Sequence, residues 1–137
     1  MYPRPVQPEF SIWITCTDNV DRFIEAGKRG YNILTALLFQ DIATLAKKIN
    51  AYRDARTQAG FDPDSGIVTL MLHTFVGTSD QKVKEIVKEP FIRYLETSIS
   101  LWRQASDPLD RLSAEEKAEV LQVAFERYYY SAALFGS

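Results

Sequence analysis

Apolar residues change their spacing several times along this chain, and each change marks an element. Residues 11–16 (SIWITC) are a short apolar run with β-branched and aromatic side chains, the composition of a buried strand. Thr17, Asp18 and Asn19 then offer three helix caps. Val20, Phe23, Ile24 and Gly27 follow at i, i+3, i+4 and i+7, one face of a helix. Gly30 stands where a helix takes a residue of positive φ to end. Residues 33–38 are a second buried strand. From 41 to 60 the period is helical again. Ile42, Leu45, Ala46, Ile49 and Tyr52 are its expected buried stripe, and Lys47, Lys48, Arg53 and Arg56 its solvated side. Gly60 ends that helix, and the turn-rich FDPDSG (61–66) leads onward.

A third strand is expected over 67–76. Val68, Leu70, Leu72, Thr74 and Val76 share one face, which should meet helices. Ile67, Thr69, Met71, His73 and Phe75 share the other. Thr78 and Gln81 have capping-box spacing before a helix with Val83, Ile86 and Val87 inward. Pro90 must kink that helix or begin another, and Phe91, Tyr94, Leu95 and Trp102 continue its apolar face. Residues 106–112 read as a loop. Ser113 and Glu116 form a second capping box, opening a last helix with Leu121, Ala124, Phe125 and Tyr128 on one side. Tyr128, Tyr129 and Tyr130 in series cannot all face inward. Pro3, Pro5 and Pro8 make residues 1–9 an extended lead-in.

The pattern is βαβαβα with extra helices, so the strands should be parallel. The fold class is α/β, and 137 residues suit a single domain over 1–137. Three such strands are a slice of either a doubly wound sheet or a (β/α)₈ barrel, and a whole barrel needs about 250 residues. A net charge of −2 with no basic cluster gives no sign of nucleic acid as a partner. No apolar run reaches the ~20 residues of a membrane span, and the N-terminal stretch lacks an apolar signal core, so a cytoplasmic location is expected. The single cysteine, Cys16, excludes an intrachain disulfide and a cysteine-cluster metal site, and reads as a small buried strand residue.

Ligands of βαβ units bind beyond the C-terminal strand ends. That points to the 15–19 turn, where Thr15, Thr17 and Asn19 precede a helix N-terminus suited to an anion. Asp18 counts against a phosphate there unless it faces away as the cap. His73 is the lone histidine, a proton donor or flavin contact in one reading and a hydrogen-bonded core residue in the other. It cannot form a metal site with a second histidine, and no metal is expected. No phosphate-loop, dinucleotide, zinc-protease or serine-hydrolase motif occurs, so local chemistry alone yields no reaction.

Four segments go further: PVQPEFSIWITCTDN, AGKRGYNILTALLFQ, VTLMLHTFVG and ERYYYSAALFG. Together with the helices between them, they resemble the C-terminal part of bacterial luciferase-like, flavin-dependent monooxygenases. The subgroup encoded with nonribosomal peptide and polyketide assembly lines is the most similar. The resemblance implies a partial (β/α)₈ barrel: three parallel strands, corresponding to its fifth, sixth and seventh, with helices and a C-terminal helical segment. It also implies reduced FMN as cofactor, supplied by a flavin reductase. The 15–19 turn matches the segment that holds the FMN phosphate, which assigns phosphate contacts to Thr15, Thr17 and Asn19. Where the family usually has glycine, then Asn or Ser, then Pro-Glu-Thr, this chain reads Thr17-Asp18-Asn19-Val20-Asp21-Arg22. Nothing corresponds to the first four strands, and no final strand follows ALFGS, so a fragment is expected.

The expected function is thus FMN-dependent monooxygenation within a longer protein, with this chain inactive alone. Two other readings stand beside it. One is a non-catalytic fragment that self-associates; the other is a phosphate-binding barrel piece of unrelated chemistry. The barrel-interior face is expected to carry Trp13, Ile33, Leu37, Met71 and Phe75, with Thr15, Thr35, Thr69 and His73 between them. Left open, that face and the sheet edges should make the chain a homo-oligomer.

Overall fold

The computed structural model describes residues 6, 10–38, 40–102 and 112–137, with side chains except those at 99–102. The 1–9 lead-in (apart from residue 6), the side chain of Trp102 and most of the 106–112 loop fall outside this set. The chain divides into two compact units, Met1–Met71 and Leu72–Ser137.

The first unit runs β1 (Trp13–Thr15), α1 (Val20–Lys28), β2 (Asn32–Ala36), α2 (Ile42–Gln58), a 3₁₀ turn (Pro63–Ser65) and β3 (Val68–Met71). Its sheet has the order β1-β2-β3, all parallel. Asn19 caps α1, its side-chain oxygen accepting from the Asp21 amide, and Asp41 caps α2 in the same way through the Thr44 amide. Gly30 (φ 70°) and Gly60 (φ 84°) follow the last residues of α1 and α2 with the positive φ that ends a helix. Phe23 and Ala26 of α1, Ile33 and Leu37 of β2 with its continuation, and Leu45, Tyr52 and Ala55 of α2 are all buried.

Two expectations fail on α2. Its buried stripe is Leu45, Lys48, Tyr52, Ala55 and Arg56, while Ile42 is 64% exposed. Lys48 and Arg56, expected in solvent, are only 9% and 4% exposed. Both positions continue the helical spacing of Leu45 and Tyr52, and their heads find acceptors inside. Arg56 donates to Asp62 O (3.1 Å) and Ser65 Oγ (2.7 Å), with its guanidinium over Phe61. Arg53 donates to Gly66 O (2.8 Å) and Pro63 O. These two arginines hold the 61–66 turn and so set where β3 begins.

A third correction concerns the faces of the sheet. Ile14 aligns with Ile33, Thr15 with Leu34, Leu34 with Thr69, and Thr35 with Leu70. Trp13, Thr15, Leu34, Thr69 and Met71 therefore share one face, and the Trp13 indole N–H donates to Thr69 Oγ1 at 3.2 Å. Ile33, Thr35 and Leu37 belong to the opposite, buried face, not with Trp13 as expected. A slip of one residue in β2 exchanges its two faces.

In the second unit β4 (Thr74–Val76) precedes α3 (Asp80–Trp102) and α4 (Ala114–Ser131), and β5 (Leu134–Gly136) closes it. The single strand expected over 67–76 is thus two, because β4 leaves β2's sheet and pairs in parallel with β5. Leu134–Gly136, read from the sequence only as part of the terminal segment, is itself a strand. The cap of α3 is Ser79, not Thr78, with Ser79 O accepting from Val83 N at 3.0 Å. Pro90 lies inside α3, whose buried stripe is Val83, Val87, Phe91 and Leu95; Ile86 is 55% exposed. The Ser113–Glu116 capping box is formed, and Leu121, Phe125 and Tyr128 are buried as expected, with Tyr130 exposed.

Gly27 tests the packing of the first unit. A Cβ there would stand 2.5 Å from Tyr52 O and 3.0 Å from Ala55 Cβ, so α1 and α2 lie together only while residue 27 has no side chain. Gly27→Ala is expected to cost about 1–3 kcal/mol, the range for overpacking. Urea unfolding followed by far-UV circular dichroism measures it, and an unchanged midpoint would show that the helices separate freely.

Candidate functional site

The C-terminal ends of β1 and β2 hold most of the polar chemistry of the first unit. β1 ends at Thr15, and Cys16 continues the ladder by donating its amide to Leu34 O at 2.9 Å. Cys16 is fully buried, and burial raises its thiol pKa, opposed by the nearby Arg22 charge. It is a protonated packing residue.

The chain then turns through Thr17 and Asp18 into α1. Asp18 Oδ1 accepts from the Asn19 amide (3.0 Å) and the Thr17 hydroxyl (3.1 Å). Asn19 Oδ1 accepts from the Asp21 amide (2.8 Å), and Asn19 O from the Arg22 amide (3.3 Å). The Asp18 carboxyl is held below its usual range by hydrogen bonds from its own amide, Thr17 and Asn19, and by the Lys48 charge.

Lys48 reaches this turn from α2. Its ammonium donates to Thr17 O (3.0 Å) and to Gln40 Oε1 (2.8 Å). Gln40 Nε2 in turn donates to Ala36 O (2.7 Å) and Thr35 Oγ1 (3.3 Å). Thr35 is 2% exposed and belongs to this internal chain of bonds, which corrects its expected place beside Thr15 on an interior face. Sequence reading placed Lys48 on the solvated side of α2 and gave Gln40 no role. The available signal was the position of Lys48, three residues beyond Leu45 and four before Tyr52.

His73 belongs to the second unit and is not part of this cluster. Its Nδ1 shares a 2.8 Å hydrogen bond with the Tyr128 hydroxyl. The rings of Phe91, Tyr94 and Tyr128 stand edge-on to it with centroids 4.7–5.5 Å away. Its backbone oxygen accepts from the Leu134 amide at 3.0 Å, which leads into the β4–β5 pairing. Burial lowers the His73 pKa from its ordinary 6.5 and raises that of Tyr128. The hydrogen-bonded core reading of this histidine is the one the geometry supports. Among the described residues no group of three or more His, Cys, Asp or Glu could hold a metal ion, and no helix is long and apolar enough to cross a membrane.

No family model matches the sequence, and neither does any curated protein. Solved structures do match. Over 98% of its length the chain is similar to 42% of the monooxygenase RslO1 from Streptomyces bottropensis, with a TM-score of 0.62 and 20% identity. Over 93% of its length it is similar to 35% of the oxygenating constituent of 3,6-diketocamphane monooxygenase from the CAM plasmid of Pseudomonas putida. That protein is a type II Baeyer–Villiger monooxygenase in complex with FMN; the TM-score is 0.60 and the identity 22%. Both neighbours are monooxygenases. The likeness shows the fold, and it agrees with the resemblance read from the sequence. The chain spans less than half the length of either neighbour.

Several of the donors that an FMN phosphate would need in the 15–19 turn are already engaged. The Thr17 hydroxyl and the Asn19, Asp21 and Arg22 amides already have acceptors within the turn. Two carboxylates, Asp18 and Asp21, stand at the same helix end.

The His73 environment makes the chain's stability depend on pH. Its folded pKa lies below the unfolded one, so the unfolded chain takes up the proton first. The contribution of neutral His73 is complete above about pH 6.5 and is lost as pH falls from there toward the folded value. Thermal melts between about pH 7.5 and pH 5, above most carboxylate titration, should show a falling Tm. His73→Gln should flatten that slope, and an equal slope in both chains would assign it elsewhere.

Proposed function

We propose that the chain forms part of an FMN-dependent monooxygenase, with flavin meeting the open face of the first unit's sheet. The observation that carries this reading is the shared fold with a neighbour that is in complex with FMN. The sheet supports it. Opposite the buried face stand Trp13 (43% exposed) and Met71 (53% exposed), with Thr15 and Thr69 also exposed. The indole is fixed by its bond to Thr69, so it offers a flat apolar surface at little further cost in side-chain entropy. Bound flavin would supply the oxygen chemistry, and a flavin reductase would supply it reduced. The share of this chain is to support one side of the ring and exclude water from it. Alone, it is proposed to be inactive and to hold flavin weakly, because it spans under half of its neighbours' length.

A second reading rests on the edges of the sheet. β1 and β3 each pair only with β2 among the described residues, leaving two edges. Ile12, Trp13, Ile67, Leu70 and Met71 are 39–53% exposed around them. Unpaired edges with apolar flanks invite another strand or a second sheet. In this reading the chain self-associates, with or without a catalytic role.

Two measurements separate these readings. Flavin titrated into isotope-labelled chain should shift the Trp13 indole N–H and the Met71 methyl signal, with dissociation weaker than low micromolar. Silence at both positions would remove the flavin reading, and tight binding would refute the weak-binding proposal. Light scattering at low micromolar concentration should give at least twice the 15.6 kDa of one chain. A clean monomer would end the self-association reading.

A further inference from the structure

We propose that Asp18 is a resident anion of the β1–α1 turn, taking the donors that a ligand phosphate would need, so that the turn does not recognise the phosphate of a flavin. The inference rests on the flavin reading for its ligand, and on geometry alone for its mechanism.

A phosphate at a helix start is held by free backbone amides and hydroxyls. Here four of those donors are spoken for: the Thr17 hydroxyl and the Asn19, Asp21 and Arg22 amides. One oxygen of Asp18 accepts from both the Thr17 hydroxyl and the Asn19 amide. Asn19 takes the Asp21 amide with its side chain and the Arg22 amide with its backbone oxygen. A phosphate would have to displace Asp18 and then lie beside its charge and that of Asp21. Lys48 adds no donor for it, because its ammonium is already bonded to Thr17 O and Gln40 Oε1. The carboxylate of Asp18 is covalently attached to the turn, so it competes with a free anion as an intramolecular ligand.

Asp18 is exposed and does not pack in the core, so its removal can be tested in the whole chain. Inorganic phosphate is the probe, and the backbone amides of Asn19 and Asp21 are the reporters. In the wild-type chain they should not move. In Asp18→Gly they should shift saturably. Asp18→Ala, which removes both the accepting oxygen and the charge while keeping a β-carbon, serves if the glycine variant loses its helix by circular dichroism. Saturable shifts in the wild type would overturn the proposal, as would a folded variant of either kind that ignores phosphate. FMN and riboflavin should also bind the wild-type chain alike, within about twofold, and a preference for FMN of about tenfold or more would overturn it. The phosphate arm stands whether or not flavin touches the sheet. Failure of the flavin reading shows instead as silent Trp13 and Met71 signals.

Discussion

A buried ammonium must be surrounded by acceptors, and one end of the first unit is built around that requirement. An unpaired cation taken out of water costs several kcal/mol, so Lys48 holds its place only while its partners hold theirs. Those partners come from separate stretches: the carbonyl of Thr17 after β1 and the amide of Gln40 after β2. Gln40 is itself tied to Thr35 and Ala36. One cation on α2 therefore fixes the ends of two strands relative to one helix. No buried side-chain nitrogen or oxygen among the described residues lacks a partner.

At the other end of the same helix the device is repeated with different groups. The Tyr52 hydroxyl donates to Tyr31 O (2.8 Å), and Arg53 and Arg56 gather the carbonyls of the 61–66 turn. Gly66 is needed there because a Cβ would lie 2.1 Å from the Tyr52 hydroxyl. Helix α2 thus organises one face of the sheet through polar bonds at both ends and apolar contact between them. The opposite face, with Trp13, Thr69 and Met71, is left free of these demands. That division is what allows one side of a thin sheet to meet a ligand or partner while the other fixes the fold.

Much of this architecture was legible in the sequence. The parallel α/β class, Asn19 among the candidate caps of α1, the start of α2 at Asp41, the Ser113 box and the glycine stops at 30 and 60 all follow from local chemistry. What was not legible has physical causes. Lys48 and Arg56 count as polar in any hydropathy pattern, although their long stems bury well and their heads can reach backbone oxygens. The phase of β2 was misread because residues 33–38 are apolar at nearly every position, and such a strand shows no alternation. The break after Met71 is invisible for the same reason, since the apolar pattern continues through Leu72 while the partner strand changes. β5 spans only three residues, too few for any period. At the candidate site, residue types drew attention to the 15–19 turn, but they could not show that Asp18 already engages the Thr17 hydroxyl and the Asn19 amide.

The parallel pairing of β4 with β5 sets the order in which the second unit can form. Thr74 meets Leu134, and Val76 meets Gly136, across the whole of α3 and α4. Closing so long a loop costs chain entropy that three residue pairs cannot repay on their own. The helices, whose bonds are local, must come first and bring the two strands within reach. The strand pair is then a late, non-local closure, and a nascent chain has no β4–β5 pairing until residues 134–136 have left the ribosome.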